Sequence, residues 1–193
     1  IPLNHIHSFV SIIQDYVNSF LPEQDVKEIE VSAHTSSQTN LVVVLAVGES
    51  ARQKNFSLYG YTRQNTNPIL SKDKNLHLLN GVAKYGSTLY ALPEILSKQG
   101  VSLATITAKA GINTACYSHF SLYDNCGTVG ETRVSNCGHG GRCYDEDVIP
   151  LLNDNLKSYT SGYRFIVLHL GGGSHGPNYQ KRYPPEFQRF YPM

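Results

Sequence analysis

Leu41-Val42-Val43-Val44-Leu45-Ala46-Val47 is an unbroken run of seven apolar residues that ends in Gly48-Glu49-Ser50. A run too short for a membrane helix, and rich in Val and Leu, reads as a central strand of a parallel sheet covered on both faces. The Gly-Glu-Ser-Ala-Arg that follows reads as a tight strand-to-helix turn. Open α/β sheets bind ligands in the crevice beyond the carboxyl ends of their strands, which puts Glu49 at the floor of such a crevice. An acid here also suits a helix start, where the dipole favours negative charge. Glu49 therefore has two readings at this level.

The rest of the chain narrows the fold class. Its 193 residues, 40% of them hydrophobic, suffice for one sizeable core, and there is no internal repeat. The formal net charge is only +1 and the basic residues look scattered, which excludes an electrostatic footprint for nucleic acid. No apolar run approaches the roughly twenty residues that span a bilayer, and no signal segment begins at Ile1, so the chain as it stands is expected to be soluble. Ile6, Phe9, Val10, Ile13, Val17 and Phe20 recur at three- and four-residue steps and predict an amphipathic helix over 5–20, stopped near Pro22, with an apolar stripe that by the general rule packs on the domain. Residues 30–40 are polar and read as a linker. The expected division is thus a helix and linker over 1–40 and an α/β domain over 41–193.

Downstream, strands and helices alternate. Residues 93–99 predict a short helix with Pro93 in its first turn and Gly100 as its stop. A second strand is expected over 101–106, and a helix over 145–156 with Asp145, Glu146 and Asp147 in its first turn. Residues 164–170 form a third apolar strand, which delivers Gly171-Gly172-Gly173-Ser174-His175 to the same edge as Glu49. The pattern predicts an α/β/α sandwich around a mainly parallel sheet. Four cysteines allow three pairings, and nearest neighbours give Cys116 with Cys126 and Cys137 with Cys143, as in an oxidising compartment. The rival is a metal knuckle that uses His119 and His139, although a Cys-x-His step does not match the usual zinc spacings.

Several polar residues carry candidate chemistry. Thr88, just before a helical stretch, is either a cap or a nucleophile, and a hydroxyl needs a base, a metal or a positive helix end to react. His175 stands on a glycine-rich turn, where an imidazole suits proton transfer. His169 lies inside an apolar strand and is either a core histidine or a ligand contact. Lys109 follows the second expected strand and is either a phosphate contact or a solvated lysine.

Taken in order, these segments resemble a known family. Gly48-Glu49-Ser50-Ala51-Arg52, Leu58-Tyr59-Gly60-Tyr61, Thr66-Asn67-Pro68, the Thr88-to-Pro93 segment and Ser174-His175-Gly176-Pro177-Asn178-Tyr179 are similar to motifs of the phosphoethanolamine transferases, in the alkaline phosphatase and sulfatase superfamily. The resemblance runs from about Leu41 to Met193. It implies a sulfatase-like fold, Zn2+ held by Glu49 and Thr88, Thr88 as nucleophile, and His175, His169 and Lys109 on the substrate phosphate. It implies a phosphatidylethanolamine donor, lipid A or another envelope glycan as acceptor, and a phosphoryl-threonine intermediate. The location implied is the periplasmic face of the bacterial inner membrane, with helix 5–20 leading from an N-terminal anchor.

The chain departs from the pattern in three ways. Tyr85 and Ile95 stand near places where relatives carry cysteines, the stretch after Pro93 is short, and no Asp-His-Gly-Glu motif precedes Met193. The expectation is therefore a C-terminally incomplete catalytic domain, inactive alone. The alternatives on the same scaffold are a phosphodiester hydrolase and a non-catalytic domain that binds envelope lipid.

Overall fold

The computed structural model describes residues 30, 32–35, 40–98, 100–119, 125–134 and 143–171. The expected helix over 5–20, His175 and Cys137 lie outside them. The chain divides into two compact units, Ile1–Val31 and Ser32–Met193, and the sheet, its helices and the candidate site all belong to the second.

Strand β1 is Leu41–Val47, where the apolar run predicts it. Helix α1 is Thr88–Leu96, followed by two-residue strands β2 (Ser97–Lys98) and β3 (Val101–Ser102), which pair antiparallel around Gly100. Helix α2 (Leu103–Lys109), strand β4 (Asn113–Ser118) and strand β5 (Thr132–Arg133) come next. A 3-10 turn at Asp145–Val148 leads into helix α3 (Ile149–Lys157), and β6 (Tyr163–His169) closes the described chain.

The main sheet has the order β1-β6-β4-β5, and every pairing in it is parallel. In register, His169 stands beside Val47 on one side and Ser118 on the other, so β1, β6 and β4 end at one edge. β6 is the strand covered on both faces: Phe165, Ile166, Val167 and Leu168 are all buried, Ile166 completely. β1 corrects the expectation of a central strand. Among the described residues it pairs on one side only, and Leu41, Val43 and Val44 are 40–50% exposed while Val47 is buried. An apolar run alone does not say which strand has neighbours on both sides.

Two other expectations are corrected. The strand over 101–106 ends at Ser102, whose side chain accepts the Thr105 N–H at 2.9 Å and caps α2. Local capping outweighs the β-propensity of Thr105 and Ile106. The third full strand is β4 instead, too polar at Asn113, Thr114 and Ser118 to show as an apolar run. Helix α1 begins five residues earlier than expected, so Pro93 sits inside it. The proline removes one backbone donor, and the Ser97 hydroxyl donates to the Pro93 carbonyl one turn on.

Leu92 and Leu96 of α1, Ala104 of α2, Val47, Phe165 and Val167 meet in one core with the Cys116–Cys126 disulfide. That bridge is the expected pairing, and closing a short loop of this kind stabilises by about 2–4 kcal/mol. Cys143 is also disulfide-bonded, and its expected partner Cys137 lies outside the described residues. Gly127 packs so closely on α2 that a Cβ there would stand 1.9 Å from Thr105 Oγ1. Arg164, buried in β6, donates to the Asn155 carbonyl, Asn155 Oδ1 and Ser158 Oγ, which ties the end of α3 to the sheet.

Candidate active site at the carboxyl edge of the sheet

Two residues beyond β1, the chain turns sharply. Ser50 takes a left-handed backbone (φ 50°), uncommon for a residue with a side chain. The turn folds Ser50 back on its neighbour: its N–H and hydroxyl both donate to Glu49 Oε1, at 3.2 and 3.3 Å. Thr88 is the first residue of α1, and its Oγ1 donates to the same oxygen at 2.7 Å. The other carboxylate oxygen, Oε2, stands 3.5 Å from His169 Nε2 at the end of β6. His169 is almost fully buried and the Glu49 side chain is 10% exposed. Glu49 is thus wedged between the sheet and the helix start.

Thr88 does not cap the helix. Ser87 is the N-cap and its side chain makes no cap bond, so the Thr88 hydroxyl is committed to Glu49. Side chains of the incoming segment reach over the first turns of α1. Lys84 Nζ pairs with Glu94 Oε1 at 2.8 Å and sits 5.2 Å from the centre of the Tyr85 ring, which lies 5.9 Å from that of Tyr90. The Glu94 carboxylate, with help from the Tyr85 hydroxyl, raises the pKa of Lys84 above its ordinary 10.5. An ion pair thus joins the incoming segment to α1.

A cleft of about 590 Å³ opens over this constellation, lined among others by Glu49, Ser50, Arg52, Tyr85, Ser87 and Thr88. The structure therefore brings Glu49, Thr88 and His169 together. It does not bring Lys109: α2 ends at Lys109 before β4 begins, which puts it at the amino edge of the parallel sheet, exposed and opposite the cleft. A strand over 101–106 with Lys109 just beyond its end would put this lysine at the opposite, carboxyl edge.

His119, weighed above as a cysteine-paired ligand, has another setting. Cys116 and Cys126 are bonded to each other. The His119 ring is buried just past β4, at the same edge as His169, with Nε2 3.8 Å from Asp145 Oδ1 and, among the described residues, no hydrogen bond to either ring nitrogen. Its N–H donates to the His169 carbonyl. The missing signal was β4: once that strand is known, His119 belongs to the carboxyl edge.

Carboxylate, hydroxyl and imidazole are donor types that zinc accepts. Glu49 and Thr88 bring two oxygens together, joined by a hydrogen bond of 2.7 Å. Among the described residues no cluster of three His, Cys, Asp or Glu side chains forms, so these residues offer part of a coordination set.

Comparison with known proteins extends the picture. The sulfatase family matches residues 41–193. Phosphoethanolamine transferase EptA of Escherichia coli K12 is 32% identical over 170 residues, covering 78% of this chain and 30% of that protein. The EptA of Helicobacter pylori is 35% identical over 164 residues, covering 78% and 31%. Among solved structures, the integral membrane lipooligosaccharide phosphoethanolamine transferase A of Neisseria meningitidis superposes with a TM-score of 0.75 at 25% identity, over all of this chain and 39% of that one. The C-terminal periplasmic domain of EptC from Campylobacter jejuni superposes at 0.68 with 28% identity, covering 85% and 56%. The chain spans about a third of the length of the curated relatives it matches. Its mainly parallel sheet with helices has the alkaline phosphatase and sulfatase-like fold of the EptA and EptC catalytic domains. With its homologues named phosphoethanolamine transferases, the chain belongs to the sulfatase family.

Proposed function

We propose that this chain carries the nucleophile of a transferase that moves phosphoethanolamine from phosphatidylethanolamine to lipid A or a related envelope glycan, at the periplasmic face of the inner membrane. The observation that carries the reading is the 2.7 Å bond from Thr88 to Glu49 at the mouth of a cleft. A threonine whose hydroxyl hydrogen is committed to a carboxylate holds a lone pair for in-line attack on phosphorus. The names of the relatives supply the phosphoethanolamine group and the periplasmic setting.

In the first half-reaction, the bond from Thr88 Oγ1 to phosphorus forms as the bond from phosphorus to the diacylglycerol oxygen breaks. The hydroxyl proton leaves through Glu49 to water, and water supplies a proton to the departing diacylglycerol oxygen. An acceptor hydroxyl oxygen then bonds to phosphorus as the bond from phosphorus to Thr88 Oγ1 breaks, and the proton it releases restores the Thr88 hydroxyl. Zinc held by Glu49 and Thr88 would lower the pKa of the hydroxyl and offset charge on the phosphoryl oxygens. The backbone N–H groups of the first turn of α1 lie where an anionic phosphoryl group benefits from the helix dipole. His169 Nε2 faces the far side of the Glu49 carboxylate at 3.5 Å, and His175 is the expected second contact to substrate.

Intact-mass spectrometry of the full-length parent enzyme with donor lipid is expected to show a phosphoethanolamine adduct that Thr88→Ala abolishes, with turnover down by at least about 10³-fold. A Thr88→Ala protein that still turns over refutes the assignment. The breadth of the sulfatase family favours one other reading, a hydrolase in which water replaces the acceptor. Multiple turnover of a soluble chromogenic phosphodiester without an acceptor would select it.

A further inference from the structure

The segment leading to Thr88 exposes apolar side chains where most chains bury them. Val82 is 98% exposed, Leu79 81% and Leu78 46%. Val82 adjoins the cleft, which the following Ala83 and Tyr85 line, and Leu78 and Leu79 stand in the segment that leads to it. Their position is held from below: Tyr59 Oη donates to the Leu79 carbonyl at 2.8 Å, and Gln53 Nε2 donates to Asn80 Oδ1 at 3.4 Å. Arg52 and Lys54, the exposed cations that flank Gln53 in the chain, therefore belong to the segment tied to Asn80, and Arg52 lines the cleft.

Charge follows the same division. Residues 51–98 contain seven Lys or Arg and two Asp or Glu, while the rest of the chain has nine against thirteen. All seven cations are exposed. The scatter suggested by the whole-chain charge is therefore a local surplus cancelled elsewhere. A patch of aliphatic side chains rimmed by cations is complementary to an anionic bilayer surface, with the aliphatics among the acyl chains and the cations at the phosphates. A second copy of the chain would instead set two cationic rims against each other.

We propose that the lip of residues 78–85, with Arg52 and Lys54 at its rim, is a docking surface for an anionic lipid bilayer. Leu79 and Val82 enter the interface and the Thr88 cleft opens onto it. The presentation of a donor lipid to Thr88 rests on the function proposed above. Docking itself is read without turnover, so failure of either idea is visible separately.

The test is flotation of the 193-residue chain with vesicles of phosphatidylglycerol and phosphatidylethanolamine. Wild type is expected to bind, and the double variant Leu79→Asp, Val82→Asp to bind at least about tenfold more weakly. Lys54→Gln is expected to weaken binding by about fivefold, one positive charge being removed. A fluorophore sensitive to polarity, attached at Val82→Cys, is expected to shift to the blue on these vesicles. Equal binding by wild type and the double aspartate variant overturns the proposal, as does an unshifted fluorophore. So does a dimer in solution that the double variant dissociates without any change in vesicle binding.

Discussion

β6, whose His169 stands beside Glu49, and the segment over 52–87, which leads to Thr88, are built in opposite ways. β6 has six of its seven residues buried and a parallel partner on each side. The segment over 52–87 has three 3-10 turns, and within it only Asn67 is buried. It is held by polar bonds: Thr66 Oγ1 accepts the Ser57 N–H at 2.8 Å and donates to the Asn55 carbonyl at 2.9 Å, while Asn67 N–H donates to Ser57 Oγ. Glu49 comes from the sheet and Thr88 from the end of the turn-rich segment, so the candidate chemistry sits at the seam. Labour is divided across that seam. The sheet fixes the carboxylate by burial, and the segment displays surface while delivering the hydroxyl.

Paired truncation tests this contrast most directly. Ile166→Ala, at a fully buried site, is expected to cost about 2–5 kcal/mol in urea unfolding, whereas Leu79→Ala is expected to stay within about 0.5 kcal/mol. Similar costs for both would mean that the 52–87 segment has a core of its own. Next in size, Thr66→Val removes a donor and an acceptor from the turns and is expected to cost about 1 kcal/mol. Hydrogen exchange should show the loss at Ser57 and Phe56 and leave β6 protected; faster exchange in β6 would show that the two regions unfold as one.

The slightest change concerns the exposed pair of Lys84 and Glu94. The folded pKa of Lys84 is raised, so its contribution is complete below the ordinary value of 10.5 and is lost as pH climbs through the folded value. Wild type should therefore exceed Lys84→Met slightly in melting temperature at neutral pH, and the gap should close above that value. A gap that widens with pH would contradict the sign, and high salt should narrow it.

Much of the frame was readable from residue order, though unevenly. β1, β6 and the helix that follows Asp145 announce themselves because an apolar run, or acids at a helix start, are local signals. β4 escaped because Asn113, Thr114 and Ser118 leave only Ala115, Cys116 and Tyr117 between them, neither an apolar run nor an alternation, and α2 because Ser102 caps a stretch rich in β-branched residues. These two errors have one consequence: they moved Lys109 to the wrong edge of the sheet and hid His119 from the right one. Pro93 misled for a similar reason, since its preference for a first turn is weaker than the packing of Leu92 and Leu96 into the core.

Residue order alone supplied the inventory: a strand that ends in Glu49, a hydroxyl at Thr88, a histidine within an apolar run and a pair of cysteines ten residues apart. Periodicity and composition are local, and they report which residues a strand or helix contains. It took the folded chain to set β6 between β1 and β4, and to join side chains 39 positions apart in one hydrogen bond. Strand order depends on non-local pairing and on which faces are covered, and neither quantity is written in any short window of the chain.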